Sequence, residues 1–249
     1  MRSLSASELL NAWERALTQA PAQRALTLLI AAYPETPLET LAKLSIGQRD
    51  ALLLTLREGL FGAQLLSLAT CPSCGDLLEL AFAVADIRAT PPAKFEETFS
   101  VHLADYEVQF RLPNSLDLLA CVPEKAIALH DPAAAQRVLL ERCLLAAHHQ
   151  GENQLLDQLP GEVVAAIVTH MAEADPQADV QLDLSCPACG HHWQAIFDIL
   201  AFLWSEIHAW ALRTLREVHI LASAYSWQEA DILMMSPYRR RLYLELVGK

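Results

Sequence analysis

Two copies of one short pattern lie far apart in the chain: Cys71-Pro72-Ser73-Cys74-Gly75 and Cys186-Pro187-Ala188-Cys189-Gly190. Two thiolates three positions apart can grip one face of a tetrahedral ion, and glycine after the second lets the backbone turn tightly around it. Each copy is a zinc knuckle and supplies half a site. Together they supply four thiolates, Cys71, Cys74, Cys186 and Cys189. The sequence therefore predicts that the two segments meet in space although about 110 residues separate them. An ordinary zinc ribbon spaces its knuckles by roughly 15–20 residues, so the long insertion is the atypical part.

A shell closed by four thiolates has no open position for water and does no Lewis-acid chemistry. The expected cofactor is one structural Zn2+. Its binding energy, on the order of 10 kcal/mol in zinc-finger peptides, would appear as folding energy. Three readings compete: two ions each completed by outside ligands, paired disulfides, and a thioredoxin-like redox pair. The redox reading wants one motif at a helix start in a βαβ setting, whereas both motifs here sit beside strand-like runs. No secretory segment is seen, which places the thiols in a reducing cytosol and predicts a cytoplasmic protein. His191 and His192 follow the second knuckle and are alternative ligands, but four thiolates already close the shell. Cys121 and Cys143 have no partner motif and read as buried core residues.

The chain has 249 residues, enough for one large domain or two small ones. Hydrophobic residues make up 53% of it, which excludes disorder, and only 8 glycines among many Ala and Leu point to a helical protein. The formal net charge of −12 argues against general affinity for nucleic acid or anionic membranes. No apolar run approaches the 18 residues of a membrane span.

Ser5-Ala6-Ser7-Glu8 reads as a capping box opening a helix to about Ala20, with Leu9, Leu10, Trp13 and Leu17 on one face. A second helix is expected from Pro21 or Ala22 to about Ala32, a short one over 38–43, and a third long one over 46–59 after the box Ser45-Ile46-Gly47-Gln48. The texture then changes. Leu78, Leu80, Phe82 and Val84 alternate with other residues at the period of a half-buried strand, and Phe99–Leu103 and Tyr106–Leu112 read as strands around Ala104-Asp105. Val180, Leu182 and Leu184 alternate before the second knuckle, and Trp193, Ala195 and Phe197 after it. Between the halves, Asn114 caps a helix to about Cys121, Asp131-Pro132 opens one to about His149, and another runs from Pro160 or Gly161 to about Ala174. His148 and His149 then fall at a helix end, where they suit the helix dipole. From Ile199 to about Tyr225 the chain reads as one long helix, with Leu200, Leu203, Ile207, Trp210 and Ala211 as its stripe; Trp204 and Trp210 read as core, with a partner-facing role as the alternative. A capping box at Ser226-Trp227-Gln228-Glu229 opens a short helix, and Ser236-Pro237 opens the last. Arg239, Arg240 and Arg241 read as a solvated or salt-bridged face, with an acidic partner surface as the alternative.

The expected fold is mainly α with a small β zinc ribbon. A helical N-terminal unit (1–66) precedes a split four-cysteine ribbon with a β-hairpin (67–112 with 178–198). A helical insertion (113–177) separates the halves, and a helical C-terminal region (199–249) closes the chain. No phosphate-binding glycine loop, Gly-x-Ser-x-Gly elbow or His-Glu-x-x-His pair is present, and the carboxylates scatter over helix surfaces. The chain reads as non-enzymatic, with no catalytic residue.

Several stretches resemble a known family. They include Cys186-Pro187-Ala188-Cys189-Gly190-His191-His192-Trp193, Phe202-Leu203-Trp204-Ser205-Glu206-Ile207, Arg216-Glu217-Val218-His219 and Tyr225-Ser226-Trp227-Gln228-Glu229-Ala230-Asp231-Ile232-Leu233. Ser236-Pro237-Tyr238-Arg239-Arg240-Arg241 and, in outline, Gly47-Gln48-Arg49-Asp50-Ala51-Leu52-Leu53 join them. Together they resemble the T4-type baseplate proteins and baseplate hub assembly chaperones of contractile, phage-tail-like injection systems. The resemblance implies an assembly role in the baseplate or a place in it, with baseplate or hub proteins as partners and the particle as an alternative location. It transfers no catalytic residue. A zinc-ribbon nucleic-acid regulator, reading DNA with the last two helices, is the competing function.

Overall fold

The computed structural model describes residues 1–90, 96–121 and 132–248. Its elements follow local signals closely in the N-terminal quarter. Helix α1 (Ala6–Ala16) starts at the Ser5–Glu8 capping box, with both reciprocal bonds formed, and buries Leu9, Leu10 and Trp13. It stops at Ala16, so Leu17, expected on its apolar face, is exposed. Helix α2 (Pro21–Ala32) begins on a proline, whose fixed φ suits the first helical position. After the short α3 (Leu38–Lys43), the second capping box, Ser45 with Gln48, opens α4 (Ile46–Phe61).

Gly62, at φ 87°, turns the chain into β1 (Gln64–Thr70), which pairs antiparallel with β2 (Leu77–Ala83) around the first knuckle. Val84, expected to continue β2, instead opens the single turn α5 (Val84–Ile87). Strands β3 (Phe99–Leu103) and β4 (Tyr106–Phe110) form a hairpin whose two turn residues, Ala104 and Asp105, both take positive φ. That is the turn a right-twisted hairpin favours. Asn114 caps α6 (Ser115–Ala120) by accepting from the N–H groups of Leu116 and Asp117.

The insertion departs from expectation. Asp131, the expected cap, lies outside the described residues. Helix α7 (Pro132–Cys143) ends six residues early, and Leu144–His149 is β5, paired antiparallel with β4. The pairing sets Val108 beside Ala147 and stacks the Tyr106 and His149 rings 4.2 Å apart. Alanine and leucine favour helix locally, but an open edge on β4 overrides that preference. His148 and His149 are thus strand residues. Gln150 and Gly151, both at positive φ, turn β5 into β6 (Glu152–Asn153), completing a sheet in the order β3-β4-β5-β6. Helix α8 (Gly161–Ala174) covers it, and Val108, Phe110, Leu140, Ala147, Val163 and Ile167 form the core between them.

Strands β7 (Gln181–Ser185) and β8 (His192–Ile196) make the second knuckle's hairpin. Helix α9 (Ile199–Tyr225) spans the expected range and buries Leu203, Ile207, Ala211, Val218 and Leu221 in the main core with α1, α2, α4 and β1. Trp204 and Trp210 pack against that core while partly exposed. Ser226 is not a helix opener. It takes a left-handed conformation, φ 57°, and ends α9, while α10 (Glu229–Met234) starts after Gln228 with no side-chain cap. Helix α11 (Pro237–Val247) follows Ser236, which caps the Arg239 N–H. The chain is thus mainly α with small sheets, as expected, and has eleven helices among the described residues.

Candidate metal centre

Each knuckle is a tight turn at a hairpin tip, and the two are built alike. In the first, the Gly75 N–H donates to the Cys71 carbonyl (2.9 Å) and the Cys71 N–H to the Asp76 carbonyl (2.8 Å). In the second, the Gly190 N–H donates to the Cys186 carbonyl and the Cys186 N–H to the His191 carbonyl, both at 2.9 Å. Gly75 (φ 77°) and Gly190 (φ 71°) sit in the left-handed region that a side chain would strain.

The fold brings the two tips together. Cys71 lies opposite Cys189, Sγ to Sγ 3.7 Å, and Cys74 opposite Cys186, 3.6 Å. All four sulfurs lie within 4.8 Å of one another. Zn–S bonds of about 2.3 Å in a tetrahedron place sulfurs about 3.8 Å apart, so the four donors already have the spacing of a Zn2+ shell. Cys71 and Cys186 are buried, Cys74 and Cys189 exposed. Below the sulfurs, Cys71, Leu78 and Cys186 form a small apolar cluster with Leu80 and Trp193. Burial raises the Cys71 thiol, but the Cys74 and Ser73 N–H groups outweigh it and bring the thiol down to about 7. At Cys74 the Asp76 N–H acts in the same sense, yet the surrounding thiols of Cys189, Cys186 and Cys71 push it up to about 12. A divalent cation replaces protons at such a cluster.

The other flagged residues stand apart. His191 and His192 are exposed, His191 stacked on Trp193 at 6.0 Å. Cys143 is fully buried, and burial raises its thiol to about 11; Cys121 is half-buried. Of the three arginines, Arg240 is salt-bridged, as one form of the expectation had it, but buried and not on an open face. It is 2% exposed, donates to Glu217 (3.0 Å) and to the Met235 carbonyl, and ties α11 to α9.

Comparison with protein-family models finds one described as T4 bacteriophage base plate protein, matching residues 6–204. The chain belongs to this family. The match includes both knuckles of this baseplate-family chain and ends within α9. Searches of curated proteins and of solved structures give no match.

Sequence reasoning missed three clasps. The Asp175 carboxylate accepts from the Gly47 N–H at 2.8 Å and joins the end of α8 to the start of α4. A side chain at position 47 would collide with that carboxylate, and the lone glycine in the capping box was its trace. Arg57, 3% exposed in its side chain, makes two bonds to Glu206 (2.9 and 2.7 Å) and one to the Gly62 carbonyl. Arg111 and Arg142 both grip buried Asp117. A cavity of about 560 Å³ lies beside Gly47 and Asp175. Thr90 and Glu96 form part of its wall and flank a stretch outside the described residues, so no ligand is assigned to it. No described helix is long and apolar enough to cross a membrane.

Proposed function

We propose that this protein is a non-enzymatic, zinc-stabilised interaction protein. It acts in assembling the baseplate of a contractile phage-tail-like injection system, or forms part of it. Membership of the baseplate family carries this reading. The four gathered sulfurs supply its chemistry: Cys71, Cys74, Cys186 and Cys189 hold one Zn2+. Bound there, the ion is a structural crosslink between two hairpins that also meet through a small apolar cluster and the Phe82–Phe197 ring contact. Its partners are baseplate or hub proteins, which fits the many large apolar side chains left at the surface.

The deciding experiment deletes the gene and purifies the particles. Failed baseplates, with the protein absent from mature wild-type particles, support an assembly chaperone. Defined copy numbers in mature particles support a permanent component. Normal, functional particles from the deletion strain reject both. Against the nucleic-acid reading stands the net charge of −12; no DNA binding at low salt is expected.

A further inference from the structure

Helix α11 carries apolar side chains on two faces: Tyr243 and Leu244 pack inward against the main core, and a second set faces outward. Its cation Arg240 is buried against Glu217, while Tyr238 (71% exposed), Leu242 (43%) and Leu246 (58%) face solvent at four-residue intervals. Turning the helix half a revolution would bury the outer stripe only by exposing Tyr243 and Leu244. A desolvated ion pair and the Met235 carbonyl hold the leucines outward. A contiguous outer stripe of three large exposed apolar side chains marks an interaction face.

We infer that α11 is a homodimer interface, covered by α11 of a second copy running antiparallel. The stripe is self-complementary in spacing. With a twofold axis at the level of residue 243 and a rise of about 1.5 Å per residue, the anchors of the two copies alternate along the seam. The order is Tyr238, the second copy's Leu246, Leu242, the second copy's Leu242, Leu246, the second copy's Tyr238, with steps of about 3 Å. It is self-complementary in charge as well. Arg241 and Glu245 lie on the same edge of the stripe, one turn apart and only loosely engaged with each other at 3.8 Å. The same axis sets Arg241 level with the second copy's Glu245 on the same side, and the reverse. The charge of the whole chain does not oppose this face. The last 45 residues hold six of the 18 basic residues against five of the 30 carboxylates, so the −12 resides elsewhere. The stripe lies beyond the family-matched residues, so the interface belongs to a part of the chain the family match does not reach.

The test is sedimentation velocity on the zinc-loaded full chain over a hundredfold dilution. The expected result is a monomer–dimer equilibrium that Leu242→Glu abolishes, with the far-UV spectrum unchanged because Leu242 is exposed. Arg241→Glu and Glu245→Arg each weaken the dimer about tenfold, and the double swap restores it, since opposite charges again meet across the axis. A monomer at every concentration overturns the inference. So does a dimer that survives Leu242→Glu, a double swap no better than either single change, or recruitment of α11 to anionic vesicles in place of self-association.

Discussion

Replacing Gly47 with alanine tests the junction between the two cores with the smallest possible change. Gly47 lies in the first turn of α4, where alanine would ordinarily help by roughly 0.5–1 kcal/mol. Here the added Cβ would stand 2.1 Å from Asp175 Oδ1, 2.7 Å from its Cγ and 3.0 Å from the Ala178 backbone nitrogen. The carboxylate must swing away, and with it goes a buried, charge-assisted bond to the Gly47 N–H worth about 1.5–3 kcal/mol. The Ala178 backbone has little freedom to yield, because its N–H is held by the Asp175 carbonyl at 2.9 Å. The balance is a loss of about 0.5–2.5 kcal/mol, or a Tm lower by roughly 1–10 °C for a chain of this size. Thermal unfolding followed by circular dichroism reads it. Gly161→Ala, at the start of α8 with nothing within 4 Å of the added carbon, is the control and should be neutral or slightly stabilising. Combining Gly47→Ala with Asp175→Ala should cost much less than the sum of the two. If Gly47→Ala behaves like Gly161→Ala, the clasp is not a constraint and the reasoning is refuted.

Cys186→Ser should drop bound zinc from one ion per chain to a small fraction, by elemental analysis, while the helical far-UV signal persists; full zinc occupancy in the variant would refute a four-thiolate site. Arg57→Met should cost about 3–5 kcal/mol in urea unfolding, because it leaves Glu206 and the Gly62 carbonyl without their partner. Adding Glu206→Leu should recover most of it, and equal costs for single and double variants would contradict the pairing. Asp50, buried beside Arg49, has its acid raised to about 6, chiefly by burial. Its folded value lies above the ordinary 3.8, so its contribution to stability is full below pH 3.8 and is lost as pH rises through about 6. The loss is roughly 2–3 kcal/mol. Asp50→Asn should remove that slope between pH 4 and 6, and an unchanged slope would count against it.

The four-cysteine cluster was legible because its chemistry is written locally, twice, and two half-sites demand each other. Capping boxes at Ser5 and Ser45, the proline at the start of α2 and the cap at Asn114 announced helices whose ends need only neighbouring residues. Strand β5 was not legible, since Leu144-Leu145-Ala146-Ala147 favours helix until β4 offers its edge. The only local trace was Gln150-Gly151, a hairpin turn just beyond. Strand β1 was missed for the same reason. Its register is set by β2, and its outward residues Leu66 and Leu68 blur the alternation. Ser226-Trp227-Gln228-Glu229 had the letters of a capping box, but the rings of Tyr225 and Trp227, 4.5 Å apart, and of Tyr243 decide how the chain leaves α9. The buried role of Arg240 depends on Glu217, 23 residues earlier, and no run of three arginines reveals which one faces inward.

Splitting the thiolates between Cys74 and Cys186, 112 positions apart, also sets a clock on biosynthesis. At about 5–20 residues per second, the ribosome leaves the first pair waiting about 6–22 s for the second. During that interval Cys71 and Cys74 have only two donors to offer and are open to oxidants and to competing soft cations. Prematurely terminated chains that stop short of Cys186 never gather the four sulfurs that the proposed zinc site needs.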